Sequence, residues 1–195
     1  MSAKEVKAGW FEVVEGESLL QGDVLCDCPI PRIAGFDRWP FKEGETLEVD
    51  IGVGNACVLS QSCDLENDKV DEVLFGQVVD WPSACRAFVD QGNEAAKSGK
   101  FRKALIDGNV PGIALLRKSE TDPPLDWSIV DFHRLFVLPK EGAMTVARNN
   151  GKRLRLSSPY REHLGQSFAR YFMRVGLPLD ADEFEIEGKV AVTTK

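Results

Sequence analysis

The sequence predicts an α+β protein, and three observations lead there. Short runs of alternating or continuous apolar residues fill the first third of the chain. A stretch at helical spacing interrupts them from 82 to 111. A capped amphipathic helix follows near the end. A length of 195 residues suits a single domain with a sizeable core, and 43% hydrophobic and 28% charged residues are ordinary for such a chain.

Taken in order, "GWFEVV" reads as a strand and "ESLLQGD" as a polar turn. "DVLCDCPI" alternates, which places Val24, Cys26 and Cys28 on one face. Pro29 and Pro31 are expected to end that strand, because proline has no N–H for the ladder. A loop, "PRIAGFDRWPFKEGE", separates it from the strands "TLEVDIGV" and "NACVLSQ". An acidic turn, "DLENDKVD", precedes "EVLFGQVVDW". From Pro82 to Asp107, Ala84, Phe88, Ala95, Ala96 and Leu105 recur at helical spacing, with breaks at Gly92 and Gly99, so two short helices are expected. "GIALLRK" and "SIVDFHRLFVLP" are strands around the proline turn "TDPPLDW". The Asn-Asn-Gly of "RNNGKRLRL" signals a hairpin.

The clearest element is "SSPYREHLGQSFARYFMRVGLP". Ser158 is placed to cap it, Pro159 to start it, and Gly176 and Pro178 to stop it. Tyr160, Leu164, Phe168, Tyr171, Phe172 and Val175 form an apolar stripe, while His163, Ser167, Arg170 and Arg174 share another face. "FEIEGKVAV" reads as a last strand.

No run approaches the length needed to cross a bilayer, and the N-terminus lacks the apolar stretch of a secretory signal. A cytoplasmic location is therefore expected, with five reduced cysteines rather than a disulfide framework. The net charge of −7 argues against indiscriminate nucleic-acid binding. That charge is unevenly spread: 132–176 holds nine basic residues and two acids. Such a segment suits a local anion site or a charged partner, or a self-complementary surface.

"NACVLSQSCDLEN" turns from apolar to polar at Ser60, so a strand there reaches a rim. Ser60, Gln61, Ser62 and Asp64 are candidate binding residues, or else a turn that satisfies its own backbone. Cys63 as a nucleophile would need His133 or His163 as its base, and the neighbouring Asp64 disfavours a thiolate. Asp131 and His133 lie two apart on a predicted strand, so they are not expected to pair as orienter and base. Cys26, Cys28 and Cys63 would be the ligands of any zinc, but C-x-C and C-x5-C are not zinc spacings; no cofactor is expected. Arg170 and Arg174, four apart, could contact phosphates or acidic side chains. Trp39, Trp81 and Trp127 adjoin proline loops and offer either a stacking platform or core anchors.

The order "QGDVLCDCPI", "ACVLSQSCDLEN", "DEVLFGQVV" and "LDWSIVDFHRLFVLPKE" resembles the MazF/PemK toxin fold over about half the chain. In the last segment Leu125, Ser128, Val130, Arg134 and Leu138 fall at similar places. The resemblance implies a small SH3-like β-barrel in one domain, 1–195. Its core would span about 10–81 and 112–147, with a helical insertion at 82–111. A hairpin, an amphipathic helix and a strand would follow over 148–195.

The resemblance also implies metal-independent cleavage of single-stranded RNA, by an arginine before the "VVLS"-type strand and a serine or threonine after the next. Here Gly54-Asn55 stands at the arginine position, which leaves Arg38, Ser83 and His133 as the nearest catalytic set. The expectation is thus a prokaryotic toxin–antitoxin, stress or defence module that binds a protein partner or RNA without catalysis. An endoribonuclease is the alternative, and a zinc-stabilised structural protein a third. No membrane partner is expected, and homodimerisation is left open.

Overall fold

The computed structural model describes residues 9–34, 40–46 and 48–173. Within them lie seven strands: β1 (Phe11–Val14), β2 (Asp23–Ile33), β3 (Val49–Val58), β4 (Glu72–Asp80), β5 (Ile113–Leu116), β6 (Ser128–Pro139) and β7 (Arg153–Leu156). Helices α1 (Ser62–Glu66), α2 (Trp81–Asp90), α3 (Gly99–Ile106), α4 (Lys140–Asn150) and α5 (Tyr160–Phe172) are interleaved with them, and a 3-10 turn covers Glu94–Lys97. Among the described residues no helix is long and apolar enough to cross a membrane.

The strands form one antiparallel sheet in the order β1-β7-β2-β3-β4-β6-β5. The molecule is α+β, but the expected barrel does not close among the described residues: β1 and β5 stand at opposite ends of this order. The sheet does not need to curl onto itself, because helices cover its faces. Successive side chains alternate between those faces. Val24, Cys57, Val130, Leu154 and Leu156 pack under Leu164 of α5. Leu25, Ala56, Val58, Val73 and Phe75 pack under Ala143 and Ala147 of α4 and Leu65 of α1. Ala84 and Leu105 seat α2 and α3 on Ile113 and Ile129.

Two irregularities depart from strand periodicity. In β2 the register shifts between Leu25 and Cys28, with Asp27 at φ 48. This bulge sends Val24 and Cys28 into different core clusters, correcting the expectation that they share a face. Pro29 and Pro31 do not end the strand; they pair opposite Val53 and Ile51. In β6, Asp131 pairs with Gln77 and Leu135 with Gly76, so Phe132, His133 and Arg134 oppose nothing on β4.

The expected hairpin at Asn149-Asn150 is instead the end of α4, with Gly151 at φ 67 as its cap. Asn150 accepts from Cys26 N at 2.8 Å and donates to Cys26 O at 3.0 Å, which satisfies the backbone that the β2 bulge leaves unpaired.

The Gly-Asp of "QGDV" opens a buried ion cluster. Asp23 and Arg153 are both 0% exposed. Asp23 accepts from Arg153 Nε at 2.8 Å, from Arg155 Nη2 at 2.9 Å and from Leu20 N at 3.3 Å. Arg153 also donates to Gly16 O at 2.6 Å, and both arginines reach Ser18 O. Every buried side-chain nitrogen and oxygen of the cluster thus has a hydrogen-bond partner, the condition under which a buried charge is tolerated.

Candidate functional site

Helix α5 has Pro159 rather than the expected Ser158 as its N-cap, with no side-chain cap bond. It carries the expected apolar stripe: Leu164 is buried, Phe168 and Tyr171 pack on Phe132, and Tyr160 stacks on Trp10 at 4.2 Å. Its other face lines a groove. Trp10, Tyr160, His163, Ser167 and Arg170 stand along one side, with Ile106–Gly108 at the end of α3 and Ala114–Leu116 of β5 along the other. The cavity measures about 400 Å³. A second hollow of about 200 Å³ shares Gly108, Ser167 and Arg170 and runs on to Asn109, Pro111 and Tyr171.

Among the described residues the guanidinium of Arg170 bonds only within its own helix, from Nε to Gln166 O at 3.3 Å and from Nη2 to Ser167 Oγ at 3.4 Å. Asp107, the acid on the facing wall, is held by Lys103 at 2.9 Å. Arg170 therefore has no carboxylate partner among the described residues. An arginine kept this way at a groove, beside aromatic rings, can take a phosphate while the rings take bases.

Beyond Tyr171 the β6 bulge adds a second group. His133 Nδ1 lies 3.0 Å from Asp131 Oδ1, and the His133 backbone N–H donates to the same oxygen at 3.0 Å. Arg134 Nε approaches Asp131 Oδ2 at 3.5 Å, and its Nη1 donates to Gln77 Oε1 at 3.5 Å. The imidazole meets Tyr171 edge-on at 5.1 Å and lies over Gly112, whose φ is +83. A Cβ there would come within 2.2 Å of His133 Cε1, so glycine makes room for the ring. The expectation that Asp131 and His133 cannot pair fails, because the bulge breaks the two-residue period. Asp131 holds the ring through Nδ1, and the His133 side chain is 60% exposed.

The other predicted residues lie elsewhere. Ser60 Oγ accepts from Leu74 N at 2.8 Å and Ser62 Oγ from Gln21 N at 3.2 Å, so the first ties the β3–α1 connection to β4 and the second ties α1 to the turn before β2. Gln61, Ser62 and Cys63 line a cavity of about 460 Å³ with Arg161 and Glu162, away from the α5 groove. Asp64 faces Lys69 at 3.9 Å. Cys63 is exposed on α1, with Gln61 Oε1 and Asp64 Oδ1 each 3.6 Å from its sulfur. Ser83 sits in the first turn of α2: its N–H donates to Asp80 at 2.9 Å and its hydroxyl accepts from Arg86 at 3.0 Å. The hydrogen bonds from the Ser83 N–H and hydroxyl, with the nearby charge of Arg86, lower the Asp80 carboxyl from its ordinary value. No hydrogen bond joins Ser83 to His133.

Trp81 packs on Phe101, and Trp127 borders a small apolar hollow with Trp81 and Ile106. Arg38, Trp39, Arg174, the helix stop at Gly176 and Pro178, and the strand expected over 184–192 fall outside the described residues.

Burial pushes the Cys28 thiol up to about 12 and raises that of Cys57 as well. Cys26 is raised by burial and by Asp27. Thiols so protonated are poor nucleophiles and ligands. Among the described residues no three His, Cys, Asp or Glu side chains gather to hold a metal ion. Against known proteins, neither the family models nor the curated sequences yield a match.

Proposed function

We propose that this chain binds single-stranded RNA in the α5 groove, as a MazF/PemK-like module of a toxin–antitoxin, stress or defence system. The observation that carries the reading is Arg170: a guanidinium on a groove wall whose only partners among the described residues belong to its own helix. Trp10, Tyr160 and Tyr171 flank it and offer faces for unpaired bases, as single-strand binders use. Of the nine basic residues in 132–176, Arg170 is the one among the described residues that lines the groove and its continuation. The relation to the family rests on the order of the Gly22-Asp23 opening, the strand ending near Leu59 and its pairing with β4. An SH3-like ancestry for the open sheet belongs to the same proposal.

A second reading, metal-independent cleavage, is favoured by the Asp131–His133 bond. An RNA phosphodiester is cleaved by its own 2′-hydroxyl once a base takes the hydroxyl proton and cations stabilise the developing charge. His133 Nε2 would be that base, and Arg170 or Arg134 the cation.

Anisotropy of a labelled mixed-sequence single-stranded RNA tests the first reading. Saturable binding that weakens in Arg170→Ala supports it. Absence of binding at low salt overturns it and leaves a protein partner for the groove. Discrete fragments in EDTA, lost in His133→Ala, establish the second reading, and intact RNA removes it.

A further inference from the structure

Strands β2 and β3 continue past the sheet as a two-stranded arm. Beyond the β2 bulge, Cys28–Ile33 pair only with Val49–Gly54, because β7 pairs β2 only at Asp23 and Val24, and β4 pairs β3 only at Ala56–Val58. Opposite partners in the arm are Pro29 with Val53, Pro31 with Ile51, and Ile33 with Val49, so all six lie on one face. Its two prolines are half-buried, but its four aliphatic side chains are bare: Val53 is 69%, Ile51 66%, Ile33 52% and Val49 51% exposed.

The two edges of the arm differ. Leu59 N donates to Leu74 O, so odd-numbered residues of β3 turn their N–H and C=O toward the β4 side. In the arm, where β4 has left, Val49, Ile51 and Val53 present those groups with no partner among the described residues. On β2 the matching outward positions are Pro29 and Pro31, which have no N–H to offer. One edge is blocked as natural sheets block edges, and the other carries no lysine, proline or bulge.

We propose that β3 of one chain pairs antiparallel with β3 of a second copy, joining two arms into a four-stranded ribbon. Pairing about Ile51 sets Ile51 against its own counterpart and Val49 against Val53, which completes an apolar face shared by both copies. Asp50, the one charged residue of β3, then falls opposite Gly52, so no like charges meet. A foreign extended peptide would need flanking pockets to select its side chains. The cavities described above lie elsewhere, whereas self-pairing needs no pocket. This inference is independent of RNA binding.

Sedimentation equilibrium of the full chain over a concentration series tests it. A species of twice the 21.6 kDa chain mass is expected, with the amides of Val49, Ile51 and Val53 gaining exchange protection as it forms. Ile51→Pro removes an outward N–H and no β2–β3 bond, and Val53→Lys adds an edge charge. Each should give a monomer with unchanged far-ultraviolet dichroism, and Val53→Lys decides if the proline variant unfolds. A wild-type monomer throughout, or a dimer surviving in folded Val53→Lys, overturns the proposal. So does a dimer lost on deletion of 174–195 while both edges are intact.

Discussion

Replacing Asp23 by alanine should be among the most damaging single changes in this protein. The substitution deletes the carboxylate that is ion-paired with both Arg153 and Arg155, and Arg153 is 0% exposed. Its guanidinium would keep the carbonyls of Gly16 and Ser18 but lose its counter-charge in a site without water access. Breaking a buried pair by removing one partner costs about 3–5 kcal/mol, against a total stability of roughly 5–15 kcal/mol. For a chain of this size each kcal/mol moves Tm by about 2–4 °C, so a fall on the order of 10 °C is expected. Urea unfolding followed by circular dichroism measures it, with an unchanged m-value showing that the end states are the same. Arg155→Met should cost less than Asp23→Ala, since Arg155 is partly exposed and Asp23 would still hold Arg153. A loss under about 1 kcal/mol for Asp23→Ala would refute the reasoning, because it would mean that Arg153 finds solvent or another anion without the carboxylate.

Other consequences follow from the same geometry. Gly112→Ala forces a Cβ to within 2.2 Å of His133 Cε1 at a φ of +83, so it should cost about 1–2 kcal/mol and displace the ring from Asp131. Imidazole chemical shifts of the variant against wild type would show the displacement. Above the ordinary thiol value of 9.0, unfolded Cys28 ionises while the folded thiol stays protonated until about 12. Stability present below pH 9.0 should therefore be lost as pH rises across that window. The slope would be about 1.4 kcal/mol per pH unit for each buried thiol, read by urea unfolding in alkaline buffers and reduced in Cys28→Ala. Iodoacetamide should label exposed Cys63 first, and Cys28 and Cys57 only on unfolding, as peptide mapping by mass spectrometry would show.

The elements legible in the sequence were those whose local signals agree with their packing. Helix α5 has its apolar stripe where the sheet lies, and the stretch after β4 has alanines and aromatics at helical spacing where β5 and β6 wait. Helix α4 was not legible. "KEGAMTVARNN" buries only Ala143 and Ala147, residues too small to give a strong apolar period, and Gly142 and Asn-Asn-Gly point to a turn. The bulges were hidden for a different reason. A strand pattern tells which face a residue takes only while the period of two holds, and nothing local in "SIVDFHRLF" marks Phe132–Arg134 as unpaired. The cue is distant: Gly112, on the facing segment, leaves room for the His133 ring. For the same reason Arg170 stood out as part of a polar helix face, while the groove wall that makes it useful comes from the α3–β5 connection. Asp23 was visible only as a strand opener, since its arginines arrive from 130 and 132 residues away.

The groove account is tested most directly by the salt dependence of RNA affinity in wild type and Arg170→Ala. Each phosphate contact to a single strand contributes about 0.7 to the slope of log affinity against log salt. The account predicts weaker binding and a slope shallower by about that amount in the variant, with an unchanged melting curve. Equal affinities and equal slopes for the two proteins would contradict it, because the RNA would then be held by some other surface of the chain.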